Sequence, residues 1–217
     1  MSLTITQAFL FPALVVIAVS VALMLRRVWQ LDPRRQWRRG SSAHEVGHAL
    51  VAWFGCPTTV CVRYIGWDRR VFACYYVDKR RSRSALELWH LLALTLAGVA
   101  AEFTTFGRIE NRKGCRPDLS EALGEARTLI ELGLPEIESI CRKVSTTVNP
   151  PNWSRISRHP HLTADETEVL NLGFRLAVTI ILRHHEAFKR ARALALPRFG
   201  RTTILTHDEL AACFFKE

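Results

Sequence analysis

His44, Glu45 and His48 stand in the order His-Glu-x-x-His within "SSAHEVGHALVAWFG", residues 41–55. Residues four apart on an α-helix share a face, so both imidazoles can be directed at one ion. Imidazole binds zinc well, and zinc makes water acidic near neutral pH and polarises a carbonyl, while a carboxylate beside it can take the proton. The triplet therefore reads as two metal ligands and a general base for hydrolysis. A plainer reading competes with it. Ser42 and Glu45 also match a capping box, in which Glu45 would only open a helix.

A catalytic zinc site needs a third protein ligand and an open position. Glu102, in "LAGVAAEFTTFG", is a carboxylate within an apolar run, where it needs a partner. Asp118, in "GCRPDLSEALGEA", is a second candidate, although an acidic residue in the first turn of a helix also suits the helix dipole. His90, His159, His161, His184, His185 and His207 are ligands by chemistry alone. The six cysteines, Cys56, Cys61, Cys74, Cys115, Cys141 and Cys213, contain no Cys-x-x-Cys pair, so reduced structural thiols are expected.

The elements that must position these groups follow from local signals. Asp32-Pro33 can start a helix that runs on, or restarts at Ser41 or Ser42, and ends at Gly55 and Pro57. Residues 58–77 give two β-rich runs, "TTVCVRYI" and "VFACYYV", around Gly66-Trp67-Asp68-Arg69, which reads as a hairpin. A capping box at Ser84 and Glu87 opens a helix expected to reach Phe106 and stop at Gly107. Its apolar stretch falls well short of 18 residues, too short to cross a bilayer, and is read as buried core. Further helices are expected from Pro117-Asp118 to about Gly133 and from Pro135 to Lys143, followed by a polar linker, "NPPNWSRISRHPH". Thr163 and Glu166 open a long amphipathic helix with apolar positions at Val169, Leu176, Ile180 and Phe188, and Thr206 and Glu209 open a last one.

Apolar residues dominate from Ala8 to Leu25, and a helix from Ile5 to Leu25 would be about 31 Å long, enough for one crossing. No basic residue precedes this run and Arg26-Arg27 follows it, which favours an uncleaved anchor over a signal peptide. Arg26, Arg27, Arg34, Arg35, Arg38 and Arg39 would hold the following domain on the cytoplasmic side and attract anionic headgroups. The net charge of +10 is scattered without a nucleic-acid-binding module, so no specific nucleic-acid partner is expected.

The order and spacing of "SSAHEVGHALVAWFG", "LAGVAAEFTTFG" and "GCRPDLSEALGEARTLIELGL" resemble the peptidase domain of FtsH-type membrane-bound zinc proteases. The C-terminal "HHEAFKRARALA" and "LTHDELAACF" are similar to its helical end, so the resemblance covers roughly residues 40–215. It implies His44, His48 and Asp118 as zinc ligands, Glu45 as catalytic base, and Glu102 close by in a helix packed beside the metal helix through Ala97, Gly98 and Ala101. The sequence departs from the family at Val99, where arginine is common, and at Phe103, where a second glutamate is usual. No Gly-x-x-x-x-Gly-Lys-Ser/Thr occurs, so the family's ATPase is missing from these 217 residues.

The expected fold is mainly α: an N-terminal transmembrane helix (1–25), a basic juxtamembrane segment (26–40) and a helical zinc metallopeptidase domain with a small β-hairpin (41–217). The expected function is a membrane-anchored, single-pass zinc endopeptidase acting on unfolded or membrane-proximal polypeptides. The alternative is a noncatalytic, peptidase-like subunit of a larger protease complex. A separate ATPase is a candidate partner in either case.

Overall fold

The protein is described here by a computed structural model covering residues 15–21, 24, 33–55, 60–68, 71–77, 84–144, 148–156, 161–199 and 203–215. It divides into two compact units, Met1–Trp37 and Arg38–Glu217. In the first, residues 15–21 are helical and Val15, Val16, Ile17, Val19 and Val21 are exposed. The expected span 1–25 lies largely outside the described residues. Among those described, no single helix is long and apolar enough to cross a membrane.

The described residues are mainly helical. The helices are α1 (Pro33–Gly55), α2 (Ala85–Thr95), α3 (Ala97–Phe106), α4 (Arg112–Glu131), α5 (Ile137–Lys143), α6 (Trp153–Ile156), α7 (Ala164–Arg183), α8 (His185–Ala195) and α9 (His207–Phe214). Strands β1 (Val60–Asp68), β2 (Val71–Val77) and β3 (Thr203–Thr206) form an antiparallel sheet in the order β2-β1-β3.

Several local signals hold. Ser84, Thr163 and Thr206 each accept a hydrogen bond from the backbone of a glutamate three residues on, and each glutamate returns one, completing the three expected capping boxes. Gly107 ends α3 at φ 68°, a left-handed conformation that glycine adopts without steric cost.

Other expectations are corrected. α1 is continuous through residue 41, so Ser42 and Glu45 lie in mid-helix and the capping-box reading fails; the Ser42 hydroxyl donates to the Arg39 carbonyl at 3.0 Å instead. The hairpin becomes three strands, because β3 pairs Thr206 with Tyr64 and Leu205 with Ile65. β1 extends through Asp68, which pairs with Val71, placing the turn beyond Gly66. The single helix expected over 84–106 breaks at Leu96 into α2 and α3, which meet at 50°. α7 ends at Arg183 and α8 begins at His185, where one helix was expected. α4 starts at Arg112 with Asn111 as N-cap, so Pro117 lies inside it and Asp118 falls outside the first turn. The expected linker contains α6, whose Trp153 and Ile156 are buried.

The core gathers around α1, which is buried from Gly40 to Ala52. Residues 91–102 of α2 and α3 are also buried, as the apolar pattern requires. At Gly47, an added Cβ would lie 2.5 Å from the Ala101 Cβ and 2.7 Å from the Ala97 carbonyl oxygen. Gly47→Ala tests this crossing. Alanine favours the helix by about 1 kcal/mol, but overpacking costs about 1–3 kcal/mol, and a backbone carbonyl at that range cannot step aside. The expected result is a lower midpoint in thermal or denaturant unfolding; an unchanged or higher midpoint would show that α1 and α3 do not pack as described.

Candidate metal centre

α1, α3 and α4 bring the predicted residues together. His44 and His48 occupy one face of α1, with Nε2 atoms 3.2 Å apart. Asp118 of α4 places Oδ2 2.8 Å from the His44 Nε2 and 3.3 Å from the His48 Nε2. Ligand atoms about 2.0–2.1 Å from a tetrahedral zinc ion lie roughly 3.3–3.4 Å from one another. The three atoms therefore fit one face of such a coordination shell after a small adjustment of Asp118.

The opposite ring nitrogens are both engaged. The His48 Nδ1–H donates to the Leu94 carbonyl at 2.8 Å. That carbonyl belongs to the last turn of α2, where carbonyls lack the usual N–H four residues on within the helix and can accept from side chains. The His44 Nδ1–H donates to the Glu102 Oε1 at 2.9 Å. Both rings are thus held with Nε2 facing Asp118, the tautomer a metal ligand needs. Gly98 makes room for one of them, since a Cβ there would lie 2.4–2.5 Å from atoms of the His44 ring.

Glu102 is fully buried, yet its carboxylate is well supplied with donors. Besides the His44 Nδ1–H, Oε1 receives the Cys115 thiol at 3.5 Å, while Oε2 accepts the backbone N–H groups of Glu110 at 2.6 Å and Asn111 at 2.7 Å. Gly107, left-handed at φ 68°, ends α3 between Glu102 and those amides. Asn111 goes further: its Oδ1 accepts from the Gly114 N–H and its Nδ2 donates to the Ser41 hydroxyl, tying the start of α4 to α1.

Glu102, Cys115 and the His44 Nδ1 form a second group close enough to hold a metal. That arrangement would use the nitrogen whose proton already bonds Glu102, and Glu102 has its other oxygen committed to two amides. The grouping on the Nε2 side needs neither change. Glu102 accordingly positions His44 rather than joining the candidate ligand set.

Glu45 follows His44 on α1 and is buried, 8% exposed. Cys115 was missed by the sequence reading; its spacing of three from Asp118 on one helix is the signal that could have found it. Burial pushes its thiol up to about 11, so it stays protonated at neutral pH. Cys115 and Cys141 are free thiols. Of the remaining histidines, His184 stacks on Phe54 at 3.7 Å and His207 lies 5.2 Å from Trp53; His159 lies outside the described residues. Among the described residues, no metal-compatible group includes any histidine other than His44 and His48.

No protein-family model matches the chain, and no curated protein matches it significantly.

Electrostatics links the site to pH. Burial opposes a charge on His44, but the Asp118 carboxylate outweighs it, helped by Cys115 and Glu102, and the imidazole pKa rises well above 6.5. Burial would raise Asp118, but His44 and His48 hold it well below the usual carboxylate range. In the metal-free protein, the His44 contribution to stability is complete below pH 6.5 and is lost as pH rises through its higher folded value. The Asp118 contribution is present above 3.8 and is lost as pH falls through its lower folded value.

A metal bound at the His44 Nε2 would have to displace its proton. Zinc affinity should therefore rise about tenfold per pH unit above neutrality until that proton has left. Titration calorimetry in buffers of different ionisation enthalpy would count the proton released; flat affinity with no release would remove His44 Nε2 from the ligand set.

Proposed function

We propose that this chain is a zinc metalloendopeptidase of the FtsH type, anchored in the membrane by its N-terminal segment with the peptidase unit on the cytoplasmic side. The observation that carries the reading is the convergence of two imidazole Nε2 atoms and one carboxylate oxygen within 2.8–3.3 Å, with both Nδ1 atoms held from behind. The order of motifs shared with that family supports it, as do the exposed apolar side chains of helical residues 15–21.

In this reading, His44, His48 and Asp118 hold zinc. Bound zinc supplies Lewis acidity, polarising the scissile carbonyl and making water a nucleophile near neutral pH. Glu45 takes the proton of the attacking water on its carboxylate and passes it to the departing amine. Glu102 and the Leu94 carbonyl keep the two imidazoles in place and in the required tautomer. Substrates are unfolded or membrane-proximal polypeptides. With no phosphate-binding loop in these residues, unfolding force comes from a separate ATPase or protease-complex partner, or is not needed.

The test is metal analysis of the purified full chain together with cleavage of a disordered and a tightly folded protein, each with and without ATP. One zinc per chain and ATP-independent cleavage of the disordered substrate alone is the expected result. Zinc without cleavage would favour the noncatalytic subunit, and an ATP requirement in the purified chain would refute the energy-independent mechanism.

A further inference from the structure

Phe106 ends α3, and two guanidinium groups from different elements lean on its ring. The Cζ of Arg39 in α1 lies 5.3 Å from the ring centroid, and that of Arg192 in α8 lies 5.1 Å from it. Each contact is a cation–π attraction. Together they hold two like charges within about 10 Å, no more than one Debye length at 0.1 M salt.

The chain does little to relieve this repulsion. Among the described residues, neither guanidinium has a carboxylate at ion-pairing distance. Glu110 abuts Gly40, beside Arg39, but is engaged by Arg108 at 2.7 Å. The Nε of Arg192 is buried without a hydrogen-bond acceptor. Burial, and then Arg39, lower the proton affinity of Arg192. A buried donor with no acceptor, beside a second uncompensated cation, is the arrangement an anion completes.

We propose that Arg39, Phe106 and Arg192 form a phosphate-binding site. Each guanidinium presents a planar fork of donors, and two forks from separate helices suit an anion with three or four oxygens better than the two oxygens of a carboxylate. Phe106 is half-buried and touches both guanidinium groups, while Arg39 is exposed and leaves the site open to solvent. An anionic phospholipid headgroup and free phosphate share this chemistry. The lipid source rests on the membrane-anchored reading above; the phosphate site does not, and none of its residues belongs to the candidate metal centre.

The test uses the full chain in neutral detergent at fixed ionic strength. Inorganic phosphate is titrated calorimetrically, and phosphatidylglycerol is titrated as mixed micelles with the same detergent. Arg39→Gln and Arg192→Gln should each weaken binding by about tenfold or more, whereas the same charge change next door, Arg38→Gln, should stay within about twofold. Zinc content should not change. Arg39 is exposed, so its variant keeps the test valid if Arg192→Gln fails to fold. Tighter binding to the micelles than to inorganic phosphate supports a lipid headgroup; equal or weaker binding to the micelles supports free phosphate. The absence of binding to both would overturn the proposal. So would an Arg38→Gln loss as large as that of Arg39→Gln, because the attraction would then be diffuse.

Discussion

Glu45→Gln is expected to retain one zinc per chain and to lower the rate of peptide hydrolysis by about 10²–10⁴-fold, the usual contribution of a positioned general base. Glutamine matches glutamate in size and is a similarly good helix former, so α1 and the placement of His44 and His48 should survive the change. The candidate ligand set is complete without Glu45: the converging atoms come from His44, His48 and Asp118. What the variant loses is a carboxylate able to accept a proton. Metal content and single-turnover cleavage of an unfolded protein, measured on the same preparation, check both halves. Cleavage at the original rate would show that another group is the base, and loss of zinc would make Glu45 a structural part of the metal site.

The two carboxylates should respond in opposite order to two measurements. Asp118→Ala removes the oxygen that touches both Nε2 atoms, and should cost more than the roughly 10 to 100-fold in zinc affinity typical of groups that only orient a ligand. Glu102→Ala should fall within that range, because the His44 Nε2 remains available when the bond to Nδ1 is lost. In the metal-free protein the ranking reverses. The Glu102 side chain is fully buried and receives two backbone amides, the His44 Nδ1–H and a thiol. Each amide left without an acceptor costs about 1–3 kcal/mol. The Asp118 side chain is 22% exposed, so water can replace part of what it supplied. Chelator competition ranks the zinc affinities and denaturant unfolding ranks the metal-free stabilities. If Glu102→Ala lost more zinc than Asp118→Ala, the metal would belong on the Nδ1 side of His44.

Features spanning one or two turns could be read from the chain itself. The four-residue spacing puts His44 and His48 on one helix face because the helical repeat is 3.6 residues, whatever surrounds it. The capping boxes at Ser84, Thr163 and Thr206, and the stop at Gly107, also depend on backbone groups three or four residues away. Tertiary structure decided the rest. Glu102 is 58 residues from His44, Asp118 is 74 residues from His44 and 70 from His48, and both were chemically plausible ligands. They were separated by the face of the imidazole each one reaches. Packing sets which face each one reaches: Gly47 and Gly98 let α3 approach α1 until Glu102 meets Nδ1, while α4 carries Asp118 to Nε2. The break at Leu96 has no glycine or proline at its position to announce it, and β3 is only four residues long, paired with a strand some 140 residues earlier. Such features draw their stability from neighbours distant in the chain, and a local pattern carries no record of which neighbours those are.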